Sequence, residues 1–123
     1  MEGIITAAAG EGRFRVAACA VPCGADWSVT VCGGELHHVG AAALGQYEPE
    51  RGSATVSTIT AFTHRDDAVA ARFAKEIARA RRCTVSVSAG IHVDGAGPAE
   101  LRALQDSAAE CLRALLEKME GKT

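Results

Sequence analysis

Two stretches, RFRVAACAV (residues 13–21) and DWSVTVCGG (residues 26–34), decide the fold class. In the first, Phe14, Val16, Ala18 and Ala20 fall on one side of an extended chain; in the second, Trp27, Val29 and Val31 do the same. An apolar residue at every second position is the period of a strand with one buried face, because successive side chains point to opposite sides.

Working outward, SATVSTITAF (residues 53–62) and CTVSVSAGI (residues 83–91) read as further strands bounded by turn or polar residues. Gly10-Glu11-Gly12 reads as a turn, with Ile4 to Ala8 as an additional N-terminal strand. DDAVAARFAKEIARARR (residues 66–82) changes to helical period: Val69, Ala70, Phe73, Ala74, Ile77 and Ala78 form a stripe, with Thr63 or Asp66 as cap. A second helix starts at Pro98, carries Leu101, Leu104, Ala108, Leu112, Leu115 and Met119 on one side, and stops at Gly121. The expectation is one α+β domain over residues 1–123: a mostly antiparallel sheet of four to five strands with two helices, in the order β-β-β-α-β-α plus the extra N-terminal strand. Residues 39–52, rich in Gly and Ala, read as a long connection.

The opposite faces of these strands carry Ser28, Thr30, Thr55, Ser57, Thr84, Ser86 and Ser88, all uncharged. A fully solvated face recruits Lys, Glu or Arg, so this one is expected to lie under a helix, a second sheet or another subunit. Composition agrees. Of 123 residues 48% are hydrophobic, but 25 are alanine and only 29 are Val, Ile, Leu, Met, Phe, Trp or Tyr. Apolar burial yields roughly 25 cal/mol per Å², so an alanine-rich core gains little per residue, and a homo-oligomer or a bound ligand is expected to add stability.

A net charge of -2 without a basic stripe argues against nucleic acid as partner. The cluster Arg79, Arg81 and Arg82 sits where a helix C-terminus favours cations. No run of about 18 apolar residues is present to span a membrane, and the N-terminus lacks the pattern of a secretory signal; a cytoplasmic location is expected. Cys19, Cys23, Cys32, Cys83 and Cys111 are odd in number and contain no CxxC pair, as reduced thiols would.

All four histidines stand at strand ends: His37 and His38 after Gly33-Gly34, His64 after Phe62, and His92 after Gly90-Ile91. Acids flank two of them, in THRDD (residues 63–67) and GIHVD (residues 90–94). Neighbouring strands of one sheet can bring three such ends together. Imidazoles beside carboxylates serve acid-base chemistry, divalent metal binding, or recognition of an anion by the protonated ring. The glycines allow close backbone approach, yet neither the P-loop nor the GxGxxG spacing occurs. Taken singly, Asp66 and Asp67 are explained by a helix start, His37 by a surface or loop position, and His38 and His92 by satisfied polar residues. Their clustering is what points to function.

GGELHHVGAAAL (residues 33–44), THRDDAVAARFAKEIARA (residues 63–80) and AGIHVDGAGPAELRAL (residues 89–104) together resemble the prenylated-flavin chaperone (LpdD-like) proteins, a family related to an accessory component of gallate decarboxylase. Their segments run approximately GGxxPHIGAVA, GHxDD and AGIHxD in this order. The resemblance implies a non-enzymatic binding module for prenylated FMN, or FMN itself. It also implies a UbiD-type decarboxylase as client and a flavin prenyltransferase as supplier. On the matched motifs it assigns Gly33, Gly34, His38, His64, Asp66, Asp67, His92 and Asp94 to the ligand pocket, with Arg65 as partner for the flavin phosphate. His37 stands where the family has Pro and Thr63 where it has Gly. Val39, Ala41, Ala42, Ala43 and Phe62 are expected to wall the flavin ring. Two competing readings are a small metal-dependent enzyme using His38, His64, His92 and the neighbouring acids, and a structural component of a decarboxylase complex.

Overall fold

The computed structural model describes residues 2–61 and 66–121. Among these, six strands form one mixed sheet in the order β1-β2-β3-β6-β4-β5. They span Ile5–Ala9 (β1), Val16–Cys23 (β2), Asp26–Gly34 (β3), Ala41–Glu48 (β4), Ser53–Thr60 (β5) and Thr84–His92 (β6). Helix α1 covers Asp67–Arg81 and α2 covers Pro98–Met119. The α+β class and both helices are as expected. The sheet has one strand more than expected, and the strand order along the chain differs accordingly.

That strand is β4, inside the segment read as a connection. Its inward positions Ala41 and Ala43 are buried and its outward positions Ala42, Leu44 and Gln46 exposed, so it follows the two-residue period without strand-favouring residues. The reason lies above it. A Cβ on Gly45 would stand 2.4 Å from the carbonyl oxygen of Ala74 in α1, so only a bare backbone lets the helix seat this closely. The sheet is also not wholly antiparallel, because β6 inserts between β3 and β4 and runs parallel to β3, pairing Trp27 with Val85 through Gly34 with His92.

Both helices cover the same face: α1 lies on β4, β5 and β6, and α2 on β1 and β2. Beneath them Val16, Val29, Val31, Val85 and Val87 meet Phe73, Ile77, Leu115 and Met119, all essentially inaccessible to water. Each such aliphatic or aromatic side chain contributes about 1.5–3 kcal/mol by leaving water. Phe14 departs from expectation, lying in a 3-10 turn, Gly12–Phe14, with β2 beginning at Val16. Leu101 departs too: it is 50% exposed, although Leu104, Ala108, Leu112, Leu115 and Met119 are buried as expected.

The other face of the sheet is open in this single chain. The helix or second sheet offered as its cover is not found among the described residues, where both helices pack on the opposite side.

Candidate functional site

The site forms where β3 and β6 end together, their last residues Gly34 and His92 being register partners. The chain leaving β3 turns back over β6 toward β4, and Gly40 N–H donates to Ala89 O (2.8 Å). Three glycines make room for it. A Cβ on Gly90 would lie 1.7 Å from the carbonyl oxygen of His38, one on Gly40 would lie 1.9 Å from Oδ2 of Asp66, and Gly34 has φ +75 with His92 against it. These glycines admit other parts of the chain itself.

Asp66 is the buried centre of this arrangement. It is the residue before α1, yet its side chain makes no capping bond to the helix. Its Oδ1 accepts from the backbone N–H of Ile91 (2.9 Å) and its Oδ2 accepts from His38 Nε2 (3.0 Å). One carboxylate therefore ties the start of α1, the end of β6 and the β3–β4 segment together. The other ring nitrogen of His38, Nδ1, points to Leu36 O (3.2 Å), so both nitrogens face acceptors. The ring of His92 stands edge-on to that of His38, centroids 6.4 Å apart, and His92 Nε2 donates to Asp94 Oδ1 (2.7 Å).

Two residues that sequence reading missed hold the His92 side. Glu35 Oε1 accepts from the Asp94 backbone N–H (3.1 Å) and from Arg13 (3.3 Å), and Arg13 also donates to Asp94 O (3.0 Å). No local pattern marks them, since the pairs are 59 and 22 residues apart. Of the expected site residues, His38, Asp66, His92 and Asp94 come together, with Gly34 beneath them. Gly33 packs against Arg15 and Val16, and Asp67 is exposed in the first turn of α1. His64 and Arg65, like Phe62 and Thr63, lie outside the described residues. His37 turns elsewhere, to a shallow depression shared with Arg15 and Lys118.

Beside Asp66 and His92 a cleft of about 520 Å³ opens between the two helices. Its walls are Val69, Phe73, Ile91, Leu101, Leu104 and Ala108, and Arg72 and Gln105 are polar groups on its lining. The expected ring wall is not one surface: Ala41 and Ala43 face α1, Ala42 faces the opposite side, and Val39 is 64% exposed. An apolar cleft with a few convergent polar groups is the usual form of a small-molecule site, and its volume falls within the roughly 300–1,000 Å³ common for them. Among the described residues no group of three or more His, Cys, Asp or Glu is arranged to hold a metal ion, and no helix is long and apolar enough to cross a membrane.

The chain is thus a two-layer α+β domain with a His-Asp cluster beside an apolar cleft. The description of the prenylated flavin chaperone LpdD-like domain matches residues 10–120, and the chain belongs to that family. It is thus an accessory protein of chaperone type, not a catalyst. None of the curated proteins matches the chain in sequence. Among solved structures it is similar to a chain in the crystal structure of a chaperone complex for yeast 20S proteasome assembly. The two are 16% identical with a TM-score of 0.62, over 94% of this chain and 98% of that one, a likeness of fold.

Proposed function

We propose that this chain is a homo-oligomeric carrier in the cytoplasm that binds prenylated FMN between α1 and α2. It receives the cofactor from a flavin prenyltransferase and assists maturation of a UbiD-type decarboxylase. The observation that carries the reading is the position of the apolar cleft, directly beside the Asp66 and His92 side chains of the family motifs, with His38 held on Asp66 behind them. Phe73, Leu104 and Ala108 offer the ring and its prenyl addition a dry wall, and Arg72 offers the phosphate a cation. Arg65, next to Asp66 in the chain, is a second phosphate partner on the motif resemblance. His92, with Asp94 on its Nε2, presents a polar ring edge to the cleft, while His38 and Asp66 hold that side in place. When bound, the prenylated flavin supplies the reactive ring system that the client decarboxylase uses.

Co-expression with a flavin prenyltransferase, followed by absorption spectroscopy and mass spectrometry of the purified protein, tests this. The expected result is co-purified prenylated FMN, at least tenfold depleted in Arg72→Glu and in Leu104→Trp, and higher client activity when the wild type is supplied. Absence of flavin together with no gain in client activity overturns it.

A further inference from the structure

We infer that the open face of the sheet, opposite the helices, is where two copies of this chain pair, sheet against sheet with the helices outside. By register, Cys19, Thr30, Ser88, Ala42 and Ile59 stand in one row across five strands. The next row runs from Val21 through Leu44 to Ser57, again with no acid or base in it. Yet Ile59 is 78% and Leu44 47% exposed on this surface in the single chain. An antiparallel sheet face that stays in water carries charged side chains at such positions. This one is built as a second interior.

Size and chemistry select the occupant. At about 4.8 Å between strands and about 3.3 Å per residue, six strands of five to nine residues present a face of roughly 600 Å² in projection, close to the about 800 Å² per partner of a stable interface. Across a two-fold axis the same patch meets itself, so any charge near the axis meets its own copy. The two middle rows escape that repulsion, with Asp26 in the row beyond and Arg15, His37 and Lys118 bordering Cys19, Thr30 and Cys32 on the β1–β2 side, whereas recognition of an unlike protein draws on a charge pattern that these rows lack. Small Ser, Ala and Thr side chains also let two sheets approach to about 10 Å.

The pairing deepens the homo-oligomeric part of the proposed function and rests on it, while flavin binding is a separate matter. Native mass spectrometry and sedimentation of the flavin-free wild type, Ser86→Lys and Leu44→Lys test it, together with alkylation of Cys19 in each. The expected result is a wild-type dimer in which Cys19 alkylates at least tenfold more slowly than in the variants. Both variants are expected to be folded monomers in which Cys19 reacts faster. If a variant fails to fold, dilution of the wild type supplies the monomer, and Cys19 reactivity must rise with it. A monomeric wild type overturns pairing altogether. A dimer that persists in both variants, or one in which Cys19 reacts as fast as in the dissociated chain, leaves oligomerisation standing and overturns this surface.

Discussion

Asp66 shows how much one side chain carries here. Its carboxylate is 8% exposed and holds two partners from two other parts of the chain, so removing it strands the Ile91 amide and the His38 ring together. Asp66→Ala is expected to cost about 2–4 kcal/mol in urea denaturation, and Asp66→Asn less, since the amide oxygen still accepts from Ile91. The sequence marks Asp66 by its neighbour Asp67 and by the helix that follows, which suggests a cap; its actual partners lie 28 and 25 residues away. The cysteines make a second residue-scale case. Burial pushes the Cys111 thiol from 9.0 up to about 11, with the Arg15 and Lys118 charges opposing weakly. Native protein treated with iodoacetamide at pH 8 is therefore expected to label Cys23 readily and to spare Cys111 and Cys83, as peptide mass spectrometry would read. The unfolded thiol ionises near 9 and the folded one near 11, so Cys111 leaves stability unchanged below pH 9 and lowers it as pH rises from there.

At the scale of elements, strands with β-branched residues at alternate positions and helices with an apolar stripe were legible, because the buried face alone writes those periods. β4 was not. Its inward residues are Ala41, Ala43 and Gly45, chosen for closeness to α1 and not for strand preference, so the chain there reads like a loop. Gly45→Val separates the two effects: it raises local strand propensity but drives a side chain into Ala74 of α1. A loss of about 2–3 kcal/mol is expected, with faster amide exchange in α1 and β4 by hydrogen-exchange mass spectrometry. Leu101 fits the α2 stripe in sequence but borders the cleft because α1 and α2 are splayed, lying mainly on different strands of the sheet. That splay leaves the cleft, and no periodicity within either helix reports it.

For the whole molecule, a sheet with helices on one side only leaves its second face without a partner from its own chain. If two copies share the open face, pairing stabilises the folded chain by mass action, and the melting temperature is expected to rise by about 2–4 °C for each tenfold increase in protein concentration, as scanning calorimetry would show. A concentration-independent value is expected for Ser86→Lys. The amino-acid sequence by itself determined the α+β class, five of the six strands, both helices, the uncharged sheet face and the family to which the motifs belong. Each of these is a local pattern, readable because strand and helix periods are set by backbone geometry within a few residues. The tertiary structure alone decided that β6 lies between β3 and β4, that His38, Asp66 and His92 meet while His37 turns away, and that the cleft opens between the helices. Those depend on which distant segments lie side by side, a matter settled by the packing of Gly40, Gly45 and Gly90 against parts of the chain that no local pattern names.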